Sequence, residues 1–227
     1  SLSGSIVPFE YNDIAALKKI IDSGDVGVIK MEVVRTSDPN DGFLNEVRNL
    51  ATKNGIVLIF DECTSGFRET YGGIHKKYGV EPDVAVFGKA LGNGYAITAV
   101  IGKREVMEAA QTSFISSTFW TERSGSVAAL KTLELMERHK SWEQITATGK
   151  IIRQTWRQIA KRHNLSISIG GIPAISSFSF DDGDHLFKKT FVTQEMLKRG
   201  FLASNLIYVS LSHEPGILAA YFEQLDG

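Results

Sequence analysis

The run IVLIF at 56–60 constrains this 227-residue chain more than any other stretch. Five apolar residues stand in a row, bounded by Gly55 before and by two adjacent carboxylates, Asp61 and Glu62, after. A short strand that is apolar on both faces belongs in a sheet covered on both sides, the pattern of parallel sheets under packed helices. The neighbouring segments alternate to match. Residues 13–23 read as a helix, with Asp13 as N-cap and Ile14, Leu17, Ile20 and Ile21 on one face. VGVIKMEVV (26–34) reads as a strand. SDPNDG (37–42) reads as a loop, and 43–55 as a second amphipathic helix closed by Gly55. Short buried strands follow in PDVAVFGK (82–89) and YAITAVIG (95–102), then a long helix over 124–139. The expectation is an α/β fold: part of a mainly parallel sheet with flanking helices.

After about residue 140 the texture changes. Residues 141–163 carry Trp142, Ile145, Ile152, Trp156 and Ile159 at helical spacing. LSISIGGIPAISSFSF (165–180) alternates apolar and polar residues, as strands with one wet face do. Helices over 187–200 and 214–225 flank a further strand in 205–212. We therefore expect a large unit over 1–138 and a small C-terminal α+β unit over 139–227.

Composition bounds the function. With 25 Lys+Arg against 26 Asp+Glu, the net charge of -1 gives no reason to expect a nucleic-acid partner. A single cysteine, Cys63, allows no internal disulfide and fits a reducing compartment. No apolar run approaches the ~20 residues of a membrane helix, so no membrane partner is expected and a cytoplasmic location is. The five histidines show no metal-ligand spacing; they read as surface or capping residues, and no metal is expected.

In open α/β sheets, ligands gather at the C-terminal ends of the strands. Asp61 and Lys89 both fall at such ends. Gly88, Gly92 and Gly94 surround Lys89 and permit close backbone approach. Taken alone, Asp61 also fits a capping carboxylate and Lys89 a solvated surface residue. Taken together, they would be explained by a pyridine-based cofactor. Lysine would bind its aldehyde and aspartate would hold its ring nitrogen protonated.

FDECTSGFR, PDVAVFGKALGNGYAITAVIG and SSTFWTERSGSVAALKTL resemble, in order and spacing, the class III aminotransferases, pyridoxal-phosphate enzymes of fold type I. The nearest likeness is to glutamate-1-semialdehyde aminomutases and related sugar-pathway transaminases. The resemblance implies that Lys89 is the Schiff-base lysine and that Asp61 pairs with the ring nitrogen. It places Thr118 on a threonine that binds cofactor phosphate from the neighbouring subunit of a homodimer. It places Glu32 on a substrate-side glutamate whose following proline is Val33 here. Cys63 stands where the family usually has valine behind the ring, and reads as a packing substitute. Glu62 is read as ordering the turn rather than as catalytic. The family's phosphate-cradling Ser-Gly turn and its ring-stacking aromatic lie upstream of the matched blocks. The chain, which opens SLSGSIVPFEYND, thus reads as the C-terminal half of such an enzyme. These residues alone are expected to bind the cofactor weakly or not at all. Residues 200–227 contain no arginine, which disfavours ornithine-type and γ-aminobutyrate-type substrates. The expected activity is amino transfer or aminomutation on a small amine or carbonyl substrate. A non-catalytic dimerisation or binding module, or epimerisation or decarboxylation on the same fold, stands as the alternative.

Overall fold

A computed structural model describes residues 4–227. Its described residues divide into two compact units: 4–34 with 39–134, and 35–38 with 135–227. The later boundary falls within one long helix, Arg123–His139 (α5).

In the first unit, α1 (Ile14–Ser23) starts where Asp13 Oδ1 accepts the Ala16 N–H at 2.9 Å, the expected cap. β1 (Val28–Glu32) leads to α2 (Phe43–Lys53), which buries Phe43, Leu44, Val47 and Ala51. β2 (Val57–Asp61) ends on the first carboxylate. A short helix, α3 (His75–Tyr78), and β3 (Val84–Phe87) follow, then β4 (Ala99–Gly102) and α4 (Arg104–Met107). Neither α3 nor α4 has enough turns to show periodicity in the sequence. The sheet order is β1-β2-β3-β4, with the first three parallel and β4 antiparallel to β3. The fold is thus the mixed α/β one expected, with a mainly parallel sheet. β4 runs backwards for a reason of length: a parallel return needs a crossover of a dozen or more residues, usually helical. Here the eleven residues between β3 and β4, 88–98, hold a 3-10 turn at Lys89–Leu91 and no helix to carry a crossover.

Asp83, buried just before β3, ties this unit together. Its Oδ2 accepts the Leu58 N–H at 2.7 Å and Arg48 Nη1 at 2.9 Å, and its Oδ1 takes Lys103 Nζ at 2.7 Å. One carboxylate thus joins β2, α2 and the segment after β4.

The second unit packs α6 (Ser141–Arg162), α7 (His185–Lys198) and α8 (Pro215–Asp226) with an antiparallel sheet. The sheet order is β5 (Ile167–Gly170), β6 (Ile175–Phe180), β7 (Leu206–Tyr208). Ile152, Trp156, Phe178 and Met196 are buried in it. Trp156 Nε1–H donates to the Tyr221 hydroxyl at 2.9 Å, and burial pushes that phenol up to about 12. In β6 Ile175 is buried as well as Ser176 and Phe178, so the simple alternation expected for the strands is broken at Ile175, and Ser176 is fully buried. Its hydroxyl accepts from Arg153 Nε and donates to the Pro173 carbonyl, both at 2.8 Å.

The same carbonyl sets a close approach. A Cβ added at Gly149, inside α6, would lie 1.8 Å from Pro173 O. Replacing glycine by alanine within a helix ordinarily stabilises by roughly 1 kcal/mol. Gly149→Ala is expected to do the opposite and lower the melting temperature, read by circular dichroism; a higher melting temperature would contradict this packing.

Candidate functional site

Side chains alternate along β2. Leu58 and Phe60 point into the core with no exposure, which puts Val57, Ile59 and Asp61 on the other face, half-buried. The in-register pairing Glu32↔Asp61 sets Glu32 beside Asp61 at the ends of β1 and β2. Asp61 Oδ1 accepts the Cys63 N–H at 3.1 Å, and Oδ2 lies 3.1 Å from Lys30 Nζ. Burial alone would raise the Asp61 carboxyl; the bond and charge of Lys30 and the Cys63 N–H outweigh it and hold Asp61 below its ordinary range.

Lys89 is delivered by the reversal after β3. Gly88 is extended, and Lys89 itself has φ +46°, in the left-handed region. For a residue with a Cβ this costs roughly 1–2 kcal/mol. The turn is closed by Leu91 N–H to Gly88 O at 3.0 Å and by the amides of Gly92 and Asn93 to Lys89 O, each at 3.1 Å. Lys89 Nζ donates to the hydroxyl of buried Thr64 at 2.6 Å. Cys63 stands between the acid and the amine. Its Sγ is 3.5 Å from where a Gly88 Cβ would be. Burial first, then the charge of Asp61, push its thiol up, while Lys89 and Lys30 pull the other way.

The structure therefore brings Asp61, Cys63, Lys89 and Glu32 to neighbouring strand ends. Thr118 is on an exposed turn, and its side chain makes no hydrogen bond to Asp61, Cys63 or Lys89. Sequence reasoning missed Thr64 and Lys30. Both contacts depend on turn geometry and strand register, which no local pattern reveals.

It also misread His75. That residue is buried, at 5 % exposure, not a surface histidine. Glu62, with no exposure at all, is what holds it. Glu62 Oε1 accepts the His75 backbone N–H at 3.0 Å and lies 2.9 Å from its Nδ1, which carries the proton that a carboxylate acceptor requires. Oε2 accepts the Ser65 hydroxyl at 2.6 Å. Burial pushes the Glu62 carboxyl up, but the His75 ring first, then Ser65, then the amides of His75 and Ile74, outweigh it and hold it below its ordinary value. Glu62 thus orders the turn, as expected, and through it the positions of Asp61, Cys63 and Thr64. Among the described residues, no group of three or more His, Cys, Asp or Glu could hold a metal, and no helix is long and apolar enough to cross a membrane.

This fold is that of the pyridoxal-phosphate transaminases. The chain superposes on the PLP internal aldimine form of the FumI protein of Sphingopyxis sp. MTA144 with a TM-score of 0.90, at 23% identity, covering 97% of this chain and 56% of that one. An omega-transaminase from Sphaerobacter thermophilus matches with a TM-score of 0.88, at 20% identity, covering 98% and 56%. The family described as Aminotransferase class-III matches residues 34–208, and the chain belongs to it. A 3-aminobutyryl-CoA aminotransferase of Cloacimonas acidaminovorans is 36% identical over 194 residues, 81% of this chain and 47% of its own length. A glutamate-1-semialdehyde 2,1-aminomutase of Methanococcoides burtonii is 33% identical over 181 residues, 76% of this chain and 43% of its own length. The chain spans about half the length of the curated relatives it matches.

Glu62 makes a test of its own. Its folded-state value lies below the unfolded one near 4.5, so the unfolded chain binds more protons as pH drops. The stabilisation is complete above that unfolded value and is lost as pH falls through the folded value. Glu62→Gln sets an amide N–H₂ against one of these donors. It is expected to cost about 1–3 kcal/mol at neutral pH and to flatten the acid slope of the urea midpoint; an unchanged slope would remove Glu62 from the acid transition.

Proposed function

We propose that these residues form the lysine side of the active site of a pyridoxal-phosphate-dependent aminotransferase or aminomutase acting on a small amine or carbonyl substrate. The observation that carries this is the meeting of Lys89 and Asp61 around Cys63 within the class III family. The donor set suits the cofactor. Lys89 offers an amine held by a hydroxyl, Asp61 a carboxylate kept ionised, and Gly88 a backbone without side-chain bulk beside Cys63. Lys89 and Asp61 would hold the cofactor, with Cys63 packed against its ring and Glu32 on the substrate side. When bound, pyridoxal phosphate supplies an aldehyde for the lysine and a ring that withdraws electrons from the substrate carbon.

The rest is done by the protein's own groups. Thr64 Oγ1 accepts a hydrogen bond from Lys89 Nζ and fixes where it points. Once Nζ has lost a proton, it is the base best placed to take one from a substrate carbon and return it elsewhere. Asp61 keeps its negative charge and so can stabilise a protonated nitrogen opposite the lysine. The residues of 1–138 serve here as the later part of the cofactor-binding large domain and those of 139–227 as the small domain.

We further read the working form as a homodimer. Phe114, Phe119 and Trp120 are largely exposed beside Thr118, and Val127 and Leu130 are exposed on α5. Apolar surface of that kind marks an interface, and it carries the threonine that would serve the neighbouring subunit. A reducing, cytoplasmic setting suits the free Cys63.

Two experiments test these readings. Borohydride treatment of the full-length protein after loading with pyridoxal phosphate is expected to fix a pyridoxyl group on Lys89, seen by peptide mass. Lys89→Ala should lose both the adduct and amino transfer, while Asp61→Ala keeps some adduct and loses most activity. Turnover by Lys89→Ala would remove that residue from the chemistry, and near-normal Asp61→Ala would give the ring nitrogen another partner. Leu130→Glu is expected to convert a dimer to monomer in light scattering; an unaltered dimer would place the interface elsewhere.

A further inference from the structure

We propose that Lys30 is a positioning residue for Asp61: it occupies one carboxylate oxygen and so sets how Asp61 faces its partner. This rests on the enzyme reading above and adds to it a residue from a different strand.

The geometry begins with register. β1 and β2 run in parallel with Lys30↔Ile59 and Glu32↔Asp61. Two residues along a strand are the same parity, so Lys30, Glu32, Ile59 and Asp61 share one face of the sheet. From the Lys30 backbone to the level of Asp61 is about 6.6 Å, two strand residues at ~3.3 Å each. A lysine stem spans that distance, and its ammonium arrives 3.1 Å from Asp61 Oδ2. An arginine could also reach; a side chain of three atoms could not.

An exposed ion pair on its own contributes little, and Lys30 is 60% exposed. The acid side differs. The Asp61 side chain is only 24% exposed, and its other oxygen is already committed to the Cys63 N–H. Two contacts from two different elements therefore fix the carboxylate's rotation, one from its own turn and one from β1. The charged and titratable groups about it are Lys30 and Glu32 from β1 and Cys63 on its own turn, with Lys89, beyond β3, acting on Cys63. Lys30 is the one that ion-pairs with it directly.

The chemical consequence follows from sharing. A carboxylate that already neutralises an ammonium has less affinity for a further proton. A ring nitrogen that pairs with Asp61 then meets an acceptor tempered by Lys30. Lys30 would thereby temper the acceptor that Asp61 offers to a cofactor's ring nitrogen when one is bound. Removing the ammonium should let Asp61 hold protons more tightly.

The test compares Lys30→Met with Lys30→Arg in the protein without cofactor. Aspartate carboxyl groups are labelled with carbon-13 and titrated by NMR, with Asp61 assigned through Asp61→Asn. Lys30→Met is expected to move the Asp61 titration to higher pH, and Lys30→Arg to leave it at the wild-type position. An unmoved Asp61 in Lys30→Met overturns the proposal. With pyridoxal phosphate bound, the acid limb of the pH profile for amino transfer should move the same way in Lys30→Met and be restored in Lys30→Arg. A shifted titration with an unmoved acid limb would confine Lys30 to structure and overturn its part in the chemistry. If the full-length wild-type protein neither takes up pyridoxal phosphate nor transfers an amino group, the enzyme reading falls, while the NMR comparison still decides whether Lys30 governs Asp61.

Discussion

A carboxylate with no exposed surface sits directly after the first strand-end acid, and the site is arranged around it. Glu62 can stay ionised in the core only because donors converge on it from the His75 ring, the Ser65 hydroxyl and the amides of His75 and Ile74. Each of those bonds fixes a piece of backbone. Together they clamp residues 61–65 against the start of α3. Without that clamp, Thr64 would have no fixed place from which to accept the Lys89 ammonium, and Cys63 could not hold Asp61 through its N–H. The most buried acid is thus the one that does no chemistry; it sets the coordinates for those that do.

The opposite wall is built by strain rather than by a buried charge. Just beyond β3 the chain places a lysine, not a glycine, at positive φ. Unusual dihedrals at a functional position persist where the surroundings over-determine them. Here three turn hydrogen bonds and the contact with Thr64 do so. The two walls approach at Cys63 and Gly88, where a small thiol meets a residue with no side chain. That leaves the strand ends close without a bulky group between acid and amine.

Much of this was legible from residue order. The apolar run at 56–60 and the Asp13 cap specify strand and helix through local chemistry, and the structure places them within a residue or two of expectation. The acid and the lysine stand out because each ends a strand. Other features lay outside any local signal. The antiparallel course of β4 depends on a connection from β3 that holds no crossover helix. The burial of His75 depends on a carboxylate thirteen positions earlier. The pairing of Lys30 with Asp61 depends on the register of two strands separated by a helix. Ser176 is polar yet fully enclosed, because Arg153 reaches it across the second unit. In each case the deciding partner is remote in sequence.

The reversal that delivers Lys89 also leaves β4 as the last strand of its sheet. Among the described residues no further strand lies beyond it, and Val100 and Ile101 are more than half exposed. A terminal strand with free peptide groups and β-branched side chains is a template for adding another strand. The tight turn that shapes the chemistry therefore creates an adhesive border. A lysine or proline placed on the outer side of β4 is the natural means of blunting that border.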